Sequence, residues 1–214
     1  MLLTGFPDIH THRASDGGGF RIVNASPVGF VPQAGEWYSV GLHPWTLTDQ
    51  EPAAAVWKEL DAAVRCPQVL AVGEAGLDKL TAAPMPVQEA VFVRQARLAE
   101  EVRKPLVVHL VKAMDKLLLW RKQLLPRVPW MIHGFRGKAQ LAAELLRHGC
   151  YLSFGEKWQD EAMRTVPLSR LFLETDESAV PVAEIYARAA QVRQMSVEGL
   201  AAAVRANVQS VFFS

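Results

Sequence analysis

The sequence predicts an α/β fold of the TIM-type (β/α)8 barrel class, trimmed and distorted by missing early helices. Three observations carry that expectation. Short runs rich in Val, Ile, Leu and Phe alternate with longer helix-like stretches, the rhythm of parallel strands joined by crossover helices. Eight such apolar runs can be counted, most of them followed by a helical stretch. Two early gaps, 13–19 and 26–36, are too short for a crossover helix, because a parallel return takes about a dozen residues or more. An open parallel sheet is the fallback.

Taken in order, the predicted strands cover 6–12, 20–25, 37–43, 69–76, 106–110, 130–135, 151–154 and 171–176. The cluster Gly17, Gly18 and Gly19 comes too early to separate domains and reads as a loop. The predicted helices cover 50–65, 86–103, 112–125, 138–148, 181–194 and 196–213. The first opens near Thr48 and is ended by Pro67. The last opens at Ser196, a residue suited to cap a helix, and carries an apolar stripe toward the C-terminus. No repeat or linker interrupts the series, so a single domain over residues 1–214 is expected.

Composition narrows the function classes. Half of the 214 residues are hydrophobic, which excludes intrinsic disorder. Lys and Arg number 23 against 22 Asp and Glu, a net charge of +1 that excludes a general basic coat for nucleic acid but not a local patch. Cys66 and Cys150 lie far apart and form no zinc or redox motif. No run reaches the ~18 uncharged apolar residues a spanning helix needs, and the first ten residues carry no leader pattern. The expectation is a cytoplasmic, monomeric protein without a membrane partner.

Ionisable residues fall at the ends of the apolar runs. His10 and His12 close the first, and residues i and i+2 of a strand share a face, with Asp8 one step deeper. Glu74 ends VLAVGE, His109 ends PLVVH, His133 ends PWMIH and Asp176 ends LFLETD. A strand buried on both faces has no structural need for such a residue at its tip. Any one of them alone would pass as a helix cap or a satisfied histidine. Together, at the C-terminal tips of five parallel strands, they read as ligands for two divalent ions bridged by a shared carboxylate. His43, before Pro44, reads as a substrate-contacting or ligand-supporting group. Glu174 reads as a buried partner of a ligand histidine, and His148 as a helix-end cation.

In sequence order, PDIHTH, VGLHPW, AVGEAGLDK, KPLVVHLVKA, IHGFRGK, YLSFG and LFLETDES, with an asparagine in RANVQSVFF, resemble the TatD-type metal-dependent hydrolases of the amidohydrolase-like superfamily. That family consists of divalent-metal nucleases acting on DNA. The resemblance implies His10, His12 and Asp176 as ligands of one metal, His109 and His133 as ligands of the second, and Glu74 as the bridge. It also implies that His43 faces substrate and that Asp78 positions a neighbouring loop. The chain departs from the pattern in four places. It is short between Arg13 and Glu36, Leu110 and Val111 precede Lys112 where a serine-arginine pair is usual, HGFRG adds Arg136, and Glu177–Ser178 follows LETD. No departure removes a ligand.

The expected chemistry is phosphodiester hydrolysis by an activated water between two ions (Zn, Mn, Co, Ni or Mg), probed most simply as deoxyribonuclease activity, 3'-5' exonuclease-like, on single-stranded or frayed DNA. Asp176 is the expected general base, with Glu74 the second catalytic carboxylate. Lys112, Arg136 and Lys157 are candidate phosphate contacts, and Phe135, Trp45 and Trp158 candidate surfaces for a base. The alternatives are a metal-dependent phosphatase, an amidohydrolase or lactonase on a small substrate, and a non-catalytic metal-binding module.

Overall fold

The computed structural model describes residues 3–13 and 19–213. Eight strands are present: β1 (Asp8–Thr11), β2 (Arg21–Ala25), β3 (Trp37–Val40), β4 (Val69–Asp78), β5 (Leu106–Val111), β6 (Trp130–Ile132), β7 (Tyr151–Phe154) and β8 (Leu171–Leu173). Their order in the sheet is the order of the sequence, β1 to β8, as in a (β/α)8 barrel. The helices are α1 (Ala54–Val64), α2 (Met85–Val102), α3 (Met114–Leu124), α4 (Ala139–Arg147), α5 (Asp160–Thr165), α6 (Val182–Val192) and α7 (Val197–Phe212). Among the described residues no helix stands between β1 and β2 or between β2 and β3. Gly17 and Gly18 of the predicted loop, and residues 14–18 of the first short gap, lie outside the described residues.

The chain divides into two compact units, one of Met1–Val23 with Met131–Ser214, the other Asn24–Trp130. In the first, β1 pairs in parallel with β2, Asp8 opposite Arg21 and Thr11 opposite Val23. Strands β6, β7 and β8 pair in parallel as well, with Ile132 opposite Leu152 and Ser153 opposite Phe172. Fully buried Phe154, Phe172, Tyr186 and Leu200 fill its core. The Tyr186 hydroxyl donates to the Pro7 carbonyl at 2.8 Å and so ties α6 to the entry of β1. Ser196 caps α7 as predicted, its hydroxyl accepting from Gly199 N–H at 3.1 Å. Asn207, the late asparagine, donates to the carbonyls of Leu168 and Leu171 at 2.7 and 2.9 Å and holds the start of β8.

In the second unit β4 is buried along its whole length and pairs in parallel with β3 and β5. Its near-continuous apolar sequence follows, since a strand covered on both faces has no solvent side for polar residues. Gly76 lies opposite His109 in the β4–β5 register. A Cβ there would sit 2.1 Å from the His109 carbonyl, so only glycine permits this approach.

Several predicted boundaries need correction. Helix α1 starts at Ala54, not at residue 50, because Glu51 precedes Pro52 and is pushed toward extended backbone. The short α5 was not predicted at all. Strand β3 ends at Val40, three residues before His43, and β8 ends at Leu173, three before Asp176. Strand β4 runs two residues further than expected, to Asp78, so Glu74 sits inside the strand rather than at its tip. His109 likewise precedes two further residues of β5.

Candidate metal centre

In the first unit, His10 comes from β1, while His12, His133 and Asp176 follow the ends of β1, β6 and β8. Two backbone bonds hold Asp176 against β1: its N–H donates to the His10 carbonyl at 2.9 Å, and its carbonyl accepts from His12 N–H at 3.2 Å. Asp176 takes a left-handed conformation with φ of 55°, a region that aspartate tolerates better than bulky residues and that recurs at functional sites. Its Oδ1 lies 3.7 Å from His10 Nε2 and 3.5 Å from His12 Nε2. The rings of His10 and His133 stand 4.3 Å apart. One ligand atom each from His10, His133 and Asp176 fall within 4.8 Å of one another.

Buried groups behind these residues hold them in place. Glu174 is fully buried, accepts from Gly134 N–H at 2.6 Å and lies 3.5 Å from His133 Nδ1 through the same oxygen. Asp8 accepts from the Thr175 N–H at 2.9 Å and from its hydroxyl at 2.6 Å, fixing the backbone next to Asp176. Burial pushes the Asp8 carboxyl up to about 6, against the opposing effect of those two hydrogen bonds.

In the second unit, Glu74 gathers the polar groups. Its Oε1 lies 3.0 Å from His43 Nε2 and 3.0 Å from His109 Nδ1. These three residues also offer ligand atoms within 4.8 Å of one another. His43 Nδ1 accepts from Trp45 N–H at 3.0 Å, capping the 3-10 turn Pro44–Thr46. A neutral His43 then carries its proton on Nε2 and donates to Glu74, which suits a carboxylate-orienting role better than direct coordination. His109 has a second carboxylate at its other nitrogen, Asp78 Oδ2 at 3.2 Å from Nε2. A histidine held this way by one carboxylate offers its remaining nitrogen to a cation with the ring already oriented.

Asp78 is a junction. Besides His109, it accepts from the Trp45 indole N–H at 2.8 Å and from Leu80 N–H at 2.8 Å. Burial pushes its carboxyl up, but the hydrogen bonds from Trp45, Leu80 and His109 outweigh that and hold it below the usual carboxylate range.

Three amides do work that sequence reasoning missed. Asn24, at the end of β2, donates to Glu74 Oε2 at 3.2 Å and accepts from Glu74 N–H at 3.1 Å. Gln95 of α2 pairs with both the N–H and the carbonyl of Leu42, at 2.7 and 3.0 Å, just before His43. Gln88 of the same helix accepts from Asp78 N–H at 2.7 Å and donates to its carbonyl at 2.9 Å. A polar residue inside RIVNA and two glutamines seven apart on one helix face are the signals the sequence carries for them.

Of the predicted phosphate contacts, Lys112 is exposed and left-handed, with φ of 53°. Arg136 is exposed in the segment after His133. Lys157 Nζ lies 3.4 Å from Glu156 on the surface, an ion pair that accounts for it.

The donor set fits divalent cations. Each unit offers imidazole nitrogens and a carboxylate at separations that ligand distances of about 2.0–2.2 Å can draw together, with carboxylates behind them to fix ring orientation.

The family model described as TatD related DNase matches residues 32–213. The chain is 33% identical over 148 residues to the uncharacterized metal-dependent hydrolase YabD of Bacillus subtilis, covering 64% of this chain and 57% of that protein. It is 33% identical over 153 residues to the 3'-5' ssDNA/RNA exonuclease TatD of Klebsiella pneumoniae, covering 67% and 57%. The match thus spans little more than half the length of these relatives. The crystal structure of YJJV, a TatD homologue from Escherichia coli, superposes with a TM-score of 0.85 at 24% identity, over 98% of each chain. A TatD family hydrolase from Entamoeba histolytica superposes with a TM-score of 0.78 at 15% identity, over 100% of this chain and 99% of that one. With its fold matched by these structures and most of its length matched by the family model, this chain belongs to the TatD-related DNase family.

Proposed function

We propose that this chain is a divalent-cation-dependent phosphodiesterase, a deoxyribonuclease acting in the 3'-5' direction on single-stranded or frayed ends. The observation that carries the reading is the pair of histidine–carboxylate clusters, His10, His133 and Asp176 in one unit and His43, Glu74 and His109 in the other. The names of relatives support it, since the Klebsiella protein is named a 3'-5' ssDNA/RNA exonuclease and one from Schizosaccharomyces pombe a deoxyribonuclease.

In this reading His10, His12, His133 and Asp176 hold one cation and Glu74 with His109 a second; His133 joins the first set, not the second as the resemblance implies, because its ligand atom clusters with those of His10 and Asp176. Mixed nitrogen and oxygen donors favour Zn, Mn, Co or Ni over Mg. Such ions lower the pKa of water and neutralise charge that develops on phosphoryl oxygens. The remaining work falls to the chain. Asp176 accepts the proton of the attacking water and returns it to the leaving oxygen. Glu174 and Asp8 keep the His133 ring and the Asp176 backbone from shifting during that exchange. His43 and Asn24 orient the Glu74 carboxylate from its two oxygens. Arg136 and Lys112, both exposed cations, are the candidates to pair with phosphates flanking the reacting one. Cys66 and Cys150 form no disulfide, which suits a reducing, cytoplasmic compartment.

The test is to determine bound metal and assay a labelled single-stranded oligodeoxynucleotide, a bis-aryl phosphodiester, an aryl monoester and a lactone, with Asp176→Asn alongside. Cleavage of the two diesters, reduced roughly 10²–10⁴-fold in the variant, is expected from loss of a general base. Cleavage of the lactone or the monoester alone would overturn the reading.

A further inference from the structure

Trp45 is 61% exposed and is the one aromatic residue among the exposed large hydrophobic side chains of the described residues. Its exposure is not that of a loose side chain. The indole N–H donates to Asp78 Oδ2 at 2.8 Å, and the backbone N–H donates to His43 Nδ1 at 3.0 Å. The ring stands edge-to-face with His43 at 4.9 Å and with His109 at 5.7 Å. Leu80, 66% exposed, is tied by its N–H to the other oxygen of the same aspartate. One buried carboxylate therefore fixes an exposed indole beside two histidines of the candidate site.

The chemistry of what is left open follows. The only polar atom of the indole is already satisfied by Asp78, so the exposed part is a rigid π-face with no hydrogen-bonding demand. Its orientation is set before any ligand arrives, so binding there costs little ordering entropy. A flat aromatic partner fits such a face, and its position beside His43 and His109 makes that partner part of the substrate. With a net charge of only +1, the chain has no general basic surface to hold a polynucleotide by its phosphates alone.

We propose that Trp45 is a stacking platform for a nucleobase next to the scissile phosphate. The proposal rests on the phosphodiesterase reading and deepens it by naming the substrate feature that is read. An unpaired base can lie on the indole; a base stacked within a duplex cannot, so the platform selects single-stranded ends. Stacking reads any of the bases, because each has a π-face, and the preference should be for strandedness rather than sequence.

The experiment uses the full chain with Trp45→Ala and Trp45→Phe. Two labelled single-stranded oligodeoxynucleotides serve as probes, one with ordinary bases and one with abasic sugars at its last three 3' positions. On the ordinary strand, KM should rise roughly tenfold in Trp45→Ala, within the range of one lost aromatic–base stack, and return most of the way in Trp45→Phe. On the abasic strand the wild-type chain and both variants should share one KM. An equal penalty on both strands, or none on either, would overturn the platform. A second readout is independent of turnover: in an Asp176→Asn background, oligothymidylate should quench part of the emission of the six tryptophans, and that part should vanish when Trp45→Phe is added. Quenching unchanged by Trp45→Phe also sinks the platform. Quenching that depends on Trp45 in a protein that cleaves no oligonucleotide would leave the platform standing and remove the nuclease reading.

Discussion

Asn24 meets Glu74 at two points, giving its side-chain N–H to one carboxylate oxygen and taking the backbone N–H on its own oxygen. The Ser39 hydroxyl donates to that same oxygen at 3.4 Å. An amide offers a donor nitrogen and an acceptor oxygen on separate atoms, so no hydrophobe or acid replaces it. Asn24→Ala leaves a buried N–H without its partner and should cost about 1–3 kcal/mol of stability. It should also weaken cation binding roughly 10–100-fold, the usual effect of losing a group that orients a ligand. Calorimetric titration with Zn or Mn, beside a urea melt, separates the two effects. Asn24→Asp keeps the acceptor but sets a second carboxylate against Glu74, so it should not rescue affinity. Wild-type affinity in both variants would show that Glu74 needs no such support. Residues with a charge or an imidazole at the end of an apolar run stood out in the sequence. Asn24 did not, because its importance lies in a partner 50 residues away.

At the scale of elements, strands β4 and β5 position Glu74 and His109 through contact between backbones. Gly76 faces His109 across that pairing, and an added Cβ would meet the His109 carbonyl at 2.1 Å and its Cβ at 2.6 Å. Neither atom is the end of a flexible chain, so the strands themselves must move. Gly76→Ala should cost about 1–3 kcal/mol or more, as overpacking does, and should displace His109 from Glu74 and Asp78. A lower urea midpoint with an unchanged slope, together with weaker cation binding, is the expected pair of measurements. Helix α2 contributes in another way. Its Gln88 and Gln95 supply side-chain hydrogen bonds to the backbone at Asp78 and Leu42, where the adjoining strands end or have ended. Hydrophobic periodicity located this helix to within a residue at each end, yet says nothing about polar residues on its buried face.

For the molecule as a whole, a cation held by the histidine–carboxylate clusters would link binding to folding. A ligand that binds only the folded chain at a hundred times its dissociation constant adds about 2.7 kcal/mol of stability. For a chain of 214 residues that corresponds to a melting-temperature change of roughly 5–10 °C. Chelation should therefore lower the melting temperature by that amount, and Zn or Mn added back should restore it, as followed by circular dichroism. An unchanged melting curve after complete metal removal would mean that the histidine–carboxylate clusters bind no cation. No helix among the described residues is long and apolar enough to cross a membrane.

The order of apolar runs determined the eight strands and most of the helices, because burial on both faces leaves the same mark on a parallel strand wherever it occurs. The sequence also singled out His10, His12, Glu74, His109, His133 and Asp176, since ionisable groups in buried strands are conspicuous on energetic grounds. Only the tertiary structure decided which carboxylate stands behind which ring, that His43 Nε2 lies against Glu74, and that Asp78 holds Trp45 in place. These are hydrogen bonds between residues far apart in the chain. Their geometry depends on strand register and on where each strand stops, and a local pattern of polarity contains neither.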